Sequence, residues 1–146
     1  MGGNVSVHRN KVDGTLWSIG IQDPDQSRGN IIAVVEGEDM SVVTSGNYER
    51  YFTQNGVRYH HIINPETGYP ARKGIVSSTV ISNNSSYADA LSTSFYILGV
   101  EKSFEIANKM EDINVVLVTE DDQAYVSEAL KERIRFTVDE LEVIYR

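Results

Sequence analysis

Cysteine is absent from the 146 residues, which excludes disulfides, thiolate metal sites and a cysteine nucleophile together. Basic residues are scarce, 13 Lys and Arg against 21 Asp and Glu for a net charge of −8. A general nucleic-acid binder or a polybasic membrane-surface protein needs the opposite balance, so both classes are set aside. No apolar run approaches the ~20 residues that cross a bilayer, and the first residues lack the basic-then-apolar layout of a signal peptide. The chain therefore reads as a soluble domain without a transmembrane segment. Proline is rare, with 3 residues at positions 24, 65 and 70; two of them frame a single short loop.

What is present fits one domain with a sizeable core, at 40% hydrophobic content. Val5 and Val7 alternate with polar neighbours, turn residues follow from Asn10 to Gly14, and Trp17, Ile19 and Ile21 resume the alternation, a pattern that predicts a hairpin. Ile31 to Val35 reads as a buried strand and Met40 to Thr44 as its return. Asn55-Gly56 marks a tight hairpin into Val57 to Ile63. Strands are further expected over 75–82, 113–119, 124–127, 134–137 and 141–145, and a short helix over 101–110 with Phe104, Ala107 and Met110 inward. The fold class is α+β: a mainly antiparallel sheet with two helices packed on it. A start at Gly2-Gly3-Asn4 with a strand directly behind reads as an entry into the middle of a longer fold.

The longer helix, from Ser85 to Gly99, organises the rest. Ala88, Leu91, Phe95 and Leu98 recur at the spacing of one buried face, and Asp89, Thr93 and Tyr96 on a neighbouring one. Ser85 or Ser86 offers an N-cap and Gly99 a stop. Asp89 and Thr93 stand about one turn apart, so a carboxylate and a hydroxyl lie side by side. Two hard oxygens of this kind can hold Mg²⁺ on a phosphate. Equally, with Ser86 as cap, Asp89 can fold back on it as in a capping box.

Two loops complete the candidate site. Ser45-Gly46-Asn47-Tyr48 leaves a strand through a glycine, which permits a close backbone approach or simply a turn. Asn64-Pro65-Glu66-Thr67-Gly68-Tyr69-Pro70 is stiffened by its prolines. His61, just ahead of it, can serve as a base, a phosphate partner, a ring to pack on a planar ligand, or an ordinary strand histidine. His60 is expected on the opposite face, so the pair does not chelate one metal. Arg50, Arg58, Arg72 and Lys73 cluster here against Glu49 and Glu66 alone, which favours an anionic ligand.

In order along the chain, Gly2-Gly3-Asn4, Gly20-Ile21-Gln22-Asp23-Pro24, Ser45-Gly46-Asn47-Tyr48, His61-Ile62-Ile63-Asn64-Pro65-Glu66-Thr67-Gly68 and Ala88-Asp89 with Thr93 resemble the motif series of the ApbE family, the bacterial FAD:protein FMN transferases. The resemblance runs to at least Gly99. It implies part of an ApbE-type, T-fold-like catalytic domain and a magnesium-dependent transfer of FMN from FAD to a Thr or Ser hydroxyl of a target flavoprotein, with AMP released. On that resemblance Asp89 and Thr93 match metal ligands and His61 and Asp89 are the catalytic candidates. Ser45, Gly46, Asn47, Tyr48, His61, Pro65, Thr67 and Gly68 would line the flavin cleft. Asn64 stands where many members carry Asp, which removes a charge and keeps hydrogen bonding.

Family members carry a long N-terminal portion before the Gly-Gly-Asn motif, so the chain resembles their C-terminal half. The alternatives are hydrolysis of FAD to FMN and AMP, or a non-catalytic flavin-binding or protein-interaction module. If the other half covers the sheet, an exposed apolar face would favour self-association. The resemblance also implies an extracytoplasmic, membrane-associated lipoprotein.

Overall fold

A computed structural model describes residues 3–26 and 29–146. The strands are β1 (Asn4–Val7), β2 (Trp17–Gln22), β3 (Ile31–Gly37), β4 (Met40–Gly46), β5 (Tyr51–Gln54), β6 (Val57–His60), β7 (Ile75–Ser82), β8 (Asn114–Thr119), β9 (Gln123–Val126), β10 (Ile134–Phe136) and β11 (Glu142–Tyr145). The helices are α1 (Ser85–Leu98) and α2 (Val100–Ala107). Six strands form the central sheet in the order β1-β4-β7-β8-β9-β11. Its pairings are antiparallel except the last, where β11 runs parallel to β9. None of the helices among the described residues is long and apolar enough to cross a membrane.

The alternation of side chains along the central strands sorts them onto two cores. Val43, Val80, Val115 and Leu117 pack with Ala88, Phe95, Tyr96, Phe104 and Ala107 of the helices. Their neighbours Val42, Ile81, Val116 and Val118 pack with Ile19, Ile21, Ile32, Val35 and Ile134 on the other side. That second side is a three-stranded sheet in the order β10-β3-β2. The molecule is thus helices, large sheet, small sheet, in three layers, and β7 and β8 are buried on both faces because both are covered. The α+β class with two helices on a mostly antiparallel sheet is as expected from the sequence.

Several local expectations are corrected. β1 does not form a hairpin with β2: it pairs with the far later β4, and β2 pairs with β3. The alternation of Val5 and Val7 specified a half-buried strand and left its partner open. β2 and β3 turn onto the opposite side and, with β10, cover the second face of β7 and β8. α1 is capped by Asn84, whose side chain accepts from the backbone N–H groups of Ser86 and Tyr87, and not by Ser85 or Ser86. α2 stops at Ala107, and Met110 is 37% exposed where an inward side chain was expected. β6 ends at His60 and does not continue to Ile63. The β5–β6 hairpin turns at Asn55 and Gly56, both with positive φ (51° and 75°), as the tight two-residue connection requires.

Candidate active site

α1 lies over β4 and β7, and this docking brings the motif segments together. Ser45, on β4, faces the helix: its Oγ is 2.8 Å from Ser92 Oγ and 3.1 Å from Thr93 Oγ1. Ser92 is fully buried and donates to the Asp89 carbonyl at 3.0 Å. Asp89 and Thr93 are both exposed on the helix. With Asn84 as the cap, Asp89 is the fifth helical residue, beyond the reach of a capping box. Among the described residues no hydrogen bond or ion pair engages its carboxylate. A free carboxylate one turn from a hydroxyl is a donor set of hard oxygens and suits Mg²⁺, which commonly takes one or two carboxylates together with substrate phosphates. No cluster of three or more His, Cys, Asp or Glu that could hold a metal unaided occurs among the described residues.

Gly46 is dictated by close packing. A Cβ there would lie 2.3 Å from Cε1 of the Tyr48 ring, so the glycine lets Tyr48 fold back over the strand end. Asn47 donates from its backbone to the Val76 carbonyl at 3.2 Å, tying the turn to the start of β7. Burial raises the Tyr48 phenol above its usual pKa. Gly2 of the Gly-Gly-Asn motif lies outside the described residues.

His61 sits at the root of the β5–β6 hairpin, exposed, with its backbone N–H and its Nδ1 each 3.2 Å from the Arg50 carbonyl. A carbonyl only accepts, so in the neutral ring Nδ1 carries the proton and Nε2 keeps the lone pair. His60 is 8% exposed and turned the other way, as the strand alternation predicts. Its Nε2 meets the Ala71 carbonyl at 3.0 Å and its ring packs edge-on against Tyr96. Burial lowers its pKa, against the smaller opposing pull of the Ala71 bond. Tyr96 is 2% exposed, buried with Phe95 and Ala88 in the core under α1 although the spacing sets it on the same helix face as the exposed Asp89 and Thr93. Burial pushes the Tyr96 hydroxyl up to about 12, so it stays protonated at neutral pH.

The Pro65 loop is fixed by its own turn chemistry. Asn64 accepts from Glu66 through its side chain at 2.9 Å and from Gly68 through its carbonyl at 2.9 Å, and Thr67 Oγ1 accepts from the Tyr69 N–H at 3.3 Å. Pro65 and Thr67 line a hollow of about 340 Å³ with Lys73, Ile97 and Lys102 at the far end of α1. Asn47 lines another, of about 470 Å³, with Arg58, His60, Arg72 and Tyr96. The motif residues are therefore spread around one end of the sheet and the flank of α1 and do not share one hollow. Ser92 joins them without having been singled out, and His60 and Tyr96, named in the sequence for their faces, join them as buried partners. A serine among other serines carries no local mark; only the facing β4 and α1 reveal Ser92.

Residues 1–117 match the family model described as the ApbE family. An FAD:protein FMN transferase of Treponema pallidum is 40% identical over 119 residues, 82% of this chain and 33% of its own length. One of Vibrio cholerae is 34% identical over 133 residues, 90% of this chain and 40% of its own. Among solved structures, the ApbE protein of Thermotoga maritima superposes with a TM-score of 0.81 at 36% identity, covering 92% of this chain and 43% of that one. The flavin transferase ApbE of Vibrio cholerae does so with a TM-score of 0.73 at 33% identity, covering 91% and 42%. Fold and sequence thus agree on one family, and the Treponema pallidum and Vibrio cholerae relatives named above are flavin transferases by name. The chain belongs to the ApbE family, and it spans between a third and a half of the length of these relatives.

Proposed function

We propose that the complete protein transfers FMN from FAD to a Thr or Ser hydroxyl of a target flavoprotein, with Mg²⁺ bound and AMP released. The observation that supports this most is the grouping of a free Asp89 carboxylate, the Thr93 hydroxyl and Ser45 on one seam between α1 and β4. In this reading Asp89 and Thr93 hold the cation through side-chain oxygens, and when bound it offsets negative charge on the dinucleotide phosphates. The acceptor oxygen forms a bond to the FMN phosphorus, the pyrophosphate P–O bond breaks, and AMP departs with the bonding pair. His61 Nε2, left as the lone-pair nitrogen by the Nδ1 contact to Arg50, takes the hydroxyl proton. In this reading Ser45, Gly46, Asn47 and Tyr48, and separately Pro65, Thr67 and Gly68, contact the flavin in the complete protein, although within this chain they do not share one hollow.

The test is product analysis with the complete protein, FAD, Mg²⁺ and an acceptor flavoprotein. The expected result is a denaturation-resistant FMN adduct on the acceptor and one AMP per adduct, both lost in Asp89→Ala. Adduct formation at the wild-type rate by Asp89→Ala would overturn the ligand assignment. Free FMN and AMP without an adduct would replace transfer by FAD hydrolysis.

A further inference from the structure

Resting on the proposed Asp89 and Thr93 cation site, we infer that Ser45 and Ser92 are positioning residues that fix the direction of the Thr93 proton and so leave the lone pairs of Thr93 Oγ1 free for a cation. A hydroxyl has one proton to donate. Ser92 spends its proton on the Asp89 carbonyl at 3.0 Å. The 2.8 Å contact between Ser45 and Ser92 must then be donated by Ser45, and the 3.1 Å contact between Thr93 and Ser45 by Thr93. The order is therefore Thr93 to Ser45 to Ser92 to the Asp89 carbonyl, and both Thr93 lone pairs stay uncommitted. A metal ligand needs those lone pairs and not the proton.

The same helix supplies the comparison. A helical Ser or Thr ordinarily turns its hydroxyl back to the carbonyl four residues earlier, and Ser94 does so, bonding the Ala90 carbonyl at 2.8 Å. Thr93, one position before it, bonds instead across to β4. The strand end, not the helix, selects the Thr93 rotamer. Ser92 is 0% exposed and touches no solvent, so its effect on any ligand passes through Ser45 or through the Asp89 backbone it bonds.

The complete protein with FAD is titrated with Mn²⁺, read by loss of the free-ion electron paramagnetic resonance signal, in the wild type, Ser45→Ala, Ser92→Ala, Ser94→Ala and Asp89→Ala. The expected result is a roughly five- to twentyfold weaker Mn²⁺ affinity in both Ser45→Ala and Ser92→Ala, with Ser94→Ala as wild type and Ser45→Thr restoring most of the loss. In Ser45→Ala the Thr93 hydroxyl rotates back toward the helix carbonyls and carries its lone pairs off the seam; in Ser92→Ala the freed Ser45 proton turns onto Thr93 and occupies a lone pair. Circular dichroism melts identify any variant that fails to fold, and Ser92→Cys and Ser45→Cys, which keep the side-chain volume with only a weak donor, then take its place. Wild-type Mn²⁺ affinity in folded Ser45 and Ser92 variants, with Asp89→Ala inactive in binding, would overturn the positioning role alone. No FAD-dependent Mn²⁺ binding by the wild type, or none lost in Asp89→Ala, would remove the cation site beneath it as well.

Discussion

The imidazole of His60 meets the Tyr96 ring edge-on, with centroids 5.5 Å apart and planes at 77°. Through this contact β6 is held to α1. His60 Nε2 also gives a bond to the Ala71 carbonyl after the Pro65 loop, and Asn47 beyond β4 lines the same hollow as His60 and Tyr96. Three segments far apart in the chain are thereby joined around a buried neutral histidine. The exposed His61 is anchored one residue away.

That neutrality makes stability depend on pH. Because burial holds the His60 pKa below its ordinary 6.5, the unfolded chain binds a proton before the folded one does. The contribution of His60 is fully present above about pH 6.5 and is lost as pH falls through the lower folded value. Melting temperature measured from pH 7.5 to pH 5 is expected to fall, and His60→Gln, which keeps a donor for Ala71, to flatten that part of the profile. A profile unchanged by the substitution would count against this assignment.

Asp89→Asn is expected to lower FMN transfer by the complete protein at least about a hundredfold, equivalent to ~2.7 kcal/mol of transition-state stabilisation. Thr93→Val is expected to lose about tenfold, partly recovered at high Mg²⁺, because one neutral ligand is removed and the carboxylate stays. Initial rates across a Mg²⁺ series separate the two.

Gly46→Ala is expected to cost about 1–3 kcal/mol, since the added methyl would meet the Tyr48 ring at 2.3 Å and the ring must move. Urea denaturation reports the loss, and near-ultraviolet circular dichroism the displaced tyrosine. An unchanged spectrum would show that the close approach is not needed.

Asn84→Ala is expected to cost ~1 kcal/mol by freeing the backbone N–H groups of Ser86 and Tyr87. Ser86→Ala, which removes a residue that also reads as a cap, is expected to fall within about 0.5 kcal/mol of the wild type. Phe95→Ala, at 0% exposure under α1, sets the scale of a core loss at about 3–5 kcal/mol. Denaturant midpoints rank the three.

The sequence by itself determined most of the elements and marked the candidate site residues. β7 was read at its observed bounds, because a run of apolar and small residues between turn signals leaves few alternatives. Asp89 and Thr93 were legible as neighbours because helical spacing is local. Tertiary structure decided everything that depends on a partner distant in the chain. It paired β1 with β4 instead of β2, placed a second sheet beneath the first, and set Ser45 against Thr93 across 48 residues. Periodicity tells which way a side chain points relative to its own backbone, not what will come to face it. The buried Tyr96 and the hydroxyl order ending at Asp89 were fixed only when α1 came down on β4.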